Sequence, residues 1–123
     1  MSYGLRLTQT ILYVADMARS VKFYRDLLGL KVSYPSGGDL GKEPWVALDA
    51  GSSTLALHEG GPGETHEHAP SIVFMTADVE ASRAKLVAKG VGLGEVTEPH
   101  PGVKLCSGQD PDGHTFFLRQ ASI

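Results

Sequence analysis

Thr10-Ile11-Leu12-Tyr13-Val14-Ala15-Asp16, running into residues 17–28 and closed by Gly29, returns later as Ile72-Val73-Phe74-Met75-Thr76-Ala77-Asp78, residues 79–89 and Gly90. Each copy reads as a short apolar strand, an acidic cap, a helix and a glycine stop. Asp16 and Asp78 suit the cap because a carboxylate accepts from the unpaired amides of a first turn. Met17, Val21, Tyr24, Leu27 and Leu28 recur at helical spacing, and Gly29 and Gly90 reach the left-handed conformation that ends a helix. Val79, Leu86 and Val87 form a narrower stripe in the second copy. A repeated unit predicts two similar halves, with a ligand cleft between or within them.

Working outward, residues 30–34, 45–49 and 54–59 are β-rich runs separated by Pro35-Ser36-Gly37-Gly38 and Ala50-Gly51-Ser52-Ser53. The second half offers strands over residues 94–97, 103–107 and 115–120, with Asp110-Pro111-Asp112-Gly113 as its last turn. Residues 60–70 are rich in Gly, Pro, Glu and His, lack periodicity and read as a linker. Each half is therefore β-α-β-β-β, and the expected class is α+β. We expect one domain over residues 1–123, with the first module over about 5–60 and the second over about 71–121.

Composition narrows the partners. A formal charge of −3, from 11 Lys and Arg against 14 Asp and Glu, gives no basic field for a phosphate backbone. Nucleic acid is not an expected partner. No apolar run approaches a membrane span, and no charged and hydrophobic leader pattern opens the chain, so neither a membrane nor an export route is expected. The single cysteine, Cys106, forms no internal disulfide and agrees with a reducing, cytoplasmic setting.

Strand alternation separates two faces. Leu12, Val14, Leu55, Leu57, Ile72, Phe74, Phe116 and Leu118 form an almost purely apolar set that belongs under the helices. The opposite set holds Gln9, Ile11, Tyr13, Thr54, Ala56, His58, Ser71, Val73, Met75, Thr115, Phe117 and Arg119. Apolar walls with a few polar fixtures suit a small-molecule pocket. On that face His58 is a candidate general base, or a hydrogen-bond partner for a ligand carbonyl; the plainer alternative is a rim histidine beside Glu59. Gln9 both donates and accepts. Arg119 suits a carboxylate or phosphate, or an ordinary surface ion pair. Trp45 and Phe117 are candidate stacking walls, with core packing as the alternative. His66, His68 and His100 have metal-like chemistry, but nothing in the linker fixes the geometry of the first two. Cys106 is expected to pack as a small hydrophobe. No nucleophile elbow, phosphate loop or dinucleotide fingerprint is present.

Three stretches carry a family resemblance: Leu12-Tyr13-Val14-Ala15-Asp16, Phe23-Tyr24-Arg25-Asp26-Leu27-Leu28-Gly29-Leu30 and Asp110-Pro111-Asp112-Gly113. In this order the chain resembles the vicinal oxygen chelate superfamily, which includes glyoxalase I, extradiol dioxygenases, fosfomycin-modifying enzymes and bleomycin-resistance proteins. The resemblance implies two βαβββ modules forming a cup, usually in a homodimer, and one divalent metal held by four strand residues. Those positions fall here on Gln9, Ala56, Ser71 and Phe117. Alanine and phenylalanine have no donor, and a neutral serine hydroxyl is a weak ligand. The expectation is thus no metal at the family's usual site and no cofactor, with a divalent metal elsewhere left open. The resemblance then implies a metal-independent binding protein that sequesters a small hydrophobic or aromatic compound through Gln9, Tyr13, Trp45, His58, Ser71, Met75, Phe117 and Arg119. The alternative is a glyoxalase-like lyase or isomerase, or a dioxygenase relative, acting beside a carbonyl with His58 as acid and base. A third option, an interaction domain, predicts a filled cup.

Overall fold

The computed structural model describes residues 3–121. The chain divides into two compact units, the first ending at Gly63 and the second beginning at Glu64.

In the first unit β1 (Gln9–Val14), α1 (Met17–Val21), β2 (Lys31–Tyr34), β3 (Trp45–Asp49) and β4 (Thr54–Glu59) build a four-stranded sheet of order β1-β4-β3-β2. β1 runs parallel to β4, and the other pairs are antiparallel. Asp16 caps α1 as its chemistry requires, with Oδ1 accepting from the Arg19 amide at 3.1 Å. A single α-helix over residues 17–28 is corrected, because Lys22–Leu27 is π-helical and the Leu28 amide donates to the Phe23 carbonyl five residues back at 3.0 Å. The wider turn lets the adjacent Phe23 and Tyr24 both bury, their rings edge to face at 5.1 Å. Gly29 then takes φ +83°, ending the segment. Leu12, Val14, Val46, Leu48, Leu55 and Leu57 form the core with Met17 and Val21. A short 3-10 turn, Leu40–Lys42, closes the β2–β3 connection over α1.

The second unit repeats the plan with β5 (Ile72–Met75), α2 (Val79–Ala88), β6 (Thr97–His100), β7 (Val103–Gln109) and β8 (Thr115–Ala121), in sheet order β5-β8-β7-β6 with β5 parallel to β8. Asp78 caps α2 through the Ala81 amide at 3.1 Å, and the Val79 amide donates to Gln120 Oε1 of β8 at 2.8 Å. Val79, Val91, Cys106, Phe116 and Leu118 are buried. Three local expectations change. Val87 is 43% exposed, so the apolar stripe of α2 is narrower than its sequence suggests. The first strand after α2 occupies Thr97–His100 rather than residues 94–97; Leu93 instead makes an isolated bridge with Gly108. Pro99 is tolerated there because β6 is the sheet's edge. Ser71, expected on the fifth strand, lies just before it. Among the described residues no helix is long and apolar enough to cross a membrane.

Candidate functional site

Paired residues of neighbouring strands point to the same side of a sheet, so the register assigns each face. In the first unit Tyr13 pairs with His58, and His58 with Trp45, placing three rings in one row across β1, β4 and β3. The Tyr13 and His58 centroids are 5.0 Å apart, and the Trp45 ring stands edge-on to His58 at 5.9 Å. Tyr13 is exposed, while Trp45 and His58 are half-buried. The next row is Ile11, Ala56 and Ala47, continued by Tyr34 beyond a register shift. A third row holds Gln9, Thr54 and Asp49. At about 3.3 Å per residue, Gln9 lies roughly 13 Å along β1 from Tyr13. The face is thus aromatic at one end, floored by small side chains, and polar at the other.

His58 is fixed by its own neighbour. Its Nδ1 lies 2.7 Å from the Glu59 carbonyl oxygen. A carbonyl only accepts, so Nδ1 is the donor, a proton assigned from its partner. In the neutral ring Nε2 then carries the lone pair. It takes protons or hydrogen-bond donors, and has nothing to offer a ligand carbonyl.

In the second unit Met75 pairs with Arg119, and Val73 with Phe117, on one face; Met75 is exposed, and Phe117 and Arg119 are half-buried. Ser71 is exposed at the entry to β5. The predicted residues therefore gather as Tyr13, Trp45 and His58 in one unit and Met75, Phe117 and Arg119 in the other. Gln9 shares its face with the first group but sits two rows away.

Of the four positions the family uses for a metal, Ala56 is fully buried and donorless, and Phe117 brings only a ring. Gln9 offers one donor in the first unit and Ser71 one weak donor in the second, and a single such donor does not hold such an ion. His68 pairs with Glu67 at 3.4 Å, and like His66 and His100 it is exposed. Among the described residues, the groups close enough to share an ion are instead Asp110, Asp112 and His114. There Asp110 Oδ1 accepts from the amides of Asp112 and His114 at 2.9 and 2.8 Å, and Oδ2 lies 2.9 Å from His114 Nδ1. Those bonds tie down the β7–β8 turn. The Asp-Pro-Asp-Gly signature is thus accounted for by folding. Its link to His114 escaped sequence reasoning because the turn's hydrogen bonds depend on backbone directions.

A separate cleft of about 510 Å³ lies between α1 and the β2–β3 connection, lined among others by Ala18, Val21, Arg25, Val32, Pro35 and Leu40. Arg25 at this cleft is held charged by Asp26, whose hydrogen bond and then charge raise its pKa above the ordinary guanidinium value. Burial pushes the Cys106 thiol up, which disfavours the thiolate that a nucleophile needs.

Residues 6–118 match the family model described as Glyoxalase/Bleomycin resistance protein/Dioxygenase superfamily. No curated protein matches the chain. Among solved structures, TnmS3, an antibiotic binding protein from Streptomyces sp. CB03234, superimposes with a TM-score of 0.79 at 22% identity, covering 99% of this chain and 100% of that one. A glyoxalase/bleomycin resistance protein from the same source gives 0.72 at 22% identity, covering 94% and 100%. A lactoylglutathione lyase from Agrobacterium tumefaciens gives 0.70 at 19% identity, covering 97% and 96%. At these identities the structures share the fold, while their activities differ.

Proposed function

The chain belongs to the Glyoxalase/Bleomycin resistance protein/Dioxygenase superfamily, and from that membership we propose that it sequesters a small hydrophobic or aromatic compound without a divalent metal. The observation that carries the reading is the row of Tyr13, His58 and Trp45, three rings side by side on one sheet face. Flat apolar guests gain from such a row through offset and edge-on contacts as well as area. Gln9 supplies a polar fixture on that face; Ser71, Met75, Phe117 and Arg119 are the ligand contacts we propose for the second unit. The donorless Ala56 and Phe117 support a metal-free site, and the antibiotic-binding activity of TnmS3 supports the ligand class. Calorimetric titration with a panel of aromatic metabolites and antibiotics tests this. A panel member should saturate the protein and bind at least about tenfold more weakly to Trp45→Ala, and Phe117→Glu tests the face of the second unit in the same way. A ligand that saturates while leaving both variants unaffected, or a full equivalent of divalent metal retained through chelation, sinks the reading.

A second reading, a lyase or isomerase acting beside a carbonyl, is favoured by one feature, the Nε2 lone pair of His58 placed to take a proton. It requires turnover that disappears in His58→Ala. For either reading we propose a homodimer, supported by Tyr3, Leu5 and Leu7, which are 91%, 88% and 84% exposed in the single chain. The cytoplasm is the compartment we propose, supported by the lone buried thiol Cys106.

A further inference from the structure

We propose that the ligand taken up beside Tyr13, His58 and Trp45 is a planar arene carrying an O–H or N–H donor, a phenol or its nitrogen counterpart, rather than a carbonyl or ether presented as an acceptor. The inference rests on the binding reading above and deepens it. It follows from one bond. Because the Glu59 carbonyl oxygen lies 2.7 Å from Nδ1 and can only accept, the neutral His58 ring donates there and keeps Nε2 as its acceptor. Among the described residues Nε2 has no hydrogen-bond partner, and the ring sits between Tyr13 at 5.0 Å and Trp45 at 5.9 Å. A guest seated against those rings meets a lone pair. If it buries that nitrogen while offering only acceptors, two acceptors face each other and both lose their water, which costs more than the bond would gain. A donor at the ring edge satisfies the nitrogen and fixes the guest's orientation. Specificity of this kind comes chiefly from rejecting the analogue that cannot make the bond.

Two probes with the same rings separate this from ordinary hydrophobic capture: 1-naphthol, which donates, and 1-methoxynaphthalene, which does not. Area burial alone favours the ether, since it has one more carbon to bury. The chain has one tryptophan, so its single indole N–H resonance reports on Trp45 without any label in the site. Titration at neutral pH should move that resonance with both probes, with 1-naphthol about fivefold tighter. In His58→Phe, which keeps a ring and removes the lone pair, the order should reverse. Equal binding, or an ether preference in the wild type, overturns the donor inference while leaving aromatic capture standing. A naphthol preference that survives in His58→Phe overturns the assignment to His58. If neither probe moves the Trp45 signal, the binding reading fails and takes this inference with it.

Discussion

Cys106 shows how little a residue's chemistry depends on its identity and how much on its place. It is 2% exposed on β7, opposite Leu118, so the thiolate would have to form without water. Burial is the main cause of its raised pKa; nearby Arg83 lowers it and Glu80 adds to the rise. A folded-state pKa above the unfolded one means that the folded chain holds the proton more tightly. The associated stability is fully present below the ordinary thiol pKa and is lost as pH rises through the folded value. Denaturation of wild type and Cys106→Ala across the alkaline range measures this directly. The difference between them should be flat at neutral pH and then move against the wild type by up to about 1.4 kcal/mol per pH unit. A difference that stays flat throughout would show the thiol to be solvated. His58 makes the complementary point, since its side-chain type was legible in the sequence and its tautomer was not. The tautomer depends on where the Glu59 carbonyl points.

Among the elements, those written by local chemistry were legible, and those needing a remote partner were not. Asp16 and Asp78 announce their helices because the capping carboxylate and the amide it binds are three residues apart. β3 and β4 lie where their residues predict. The π-helical stretch is invisible because the same apolar residues serve either winding. Gln120 supplies a cap to α2 from 41 residues away, which no local pattern reports. β6 was misplaced for the same reason. Gly92-Leu93-Gly94 is drawn to β7, where Leu93 bridges Gly108, and the strand starts later. That approach demands a glycine. A Cβ at Gly108 would stand 2.5 Å from the Gly92 carbonyl oxygen and 3.1 Å from the Phe116 ring. The nearest obstacle is backbone, so no rotamer relieves it. Gly108→Ala should therefore cost about 1–3 kcal/mol, read as a lower urea midpoint with an unchanged m-value. A midpoint equal to that of the wild type would mean that the 92–94 segment moves away freely.

At the scale of the whole molecule, the candidate site was legible as a face and not as a set of neighbours. Period-two alternation put Tyr13 and His58 on one side, but only the register places Trp45 beside them and Gln9 two rows away. The resemblance supplied the architecture, and two of the four positions it assigns to a metal, Ala56 and Phe117, carry no donor. What the single chain leaves unburied bears on assembly. Tyr3, Leu5 and Leu7 are all exposed on an arm without regular secondary structure, in which Gly4 turns the chain at φ +80°. At on the order of 150 Å² each they offer somewhat over half of the ~800 Å² per partner of a standard interface, so the arm supports a dimer without being the whole of it. A twofold interface uses the same patch from both copies. Replacing Leu5 and Leu7 together by serine removes two leucines from each copy. At about 1.5 kcal/mol per side chain the loss is about 6 kcal/mol, or roughly 10⁴-fold in the dissociation constant. Light scattering at micromolar concentration should then report a dimer for the wild type and a monomer for the double variant. Because these side chains touch solvent in the single chain, the variant's own unfolding free energy should change by less than about 0.5 kcal/mol. A double variant that remains dimeric would move the interface off the arm. One that unfolds instead would show that Leu5 and Leu7 pack within their own chain.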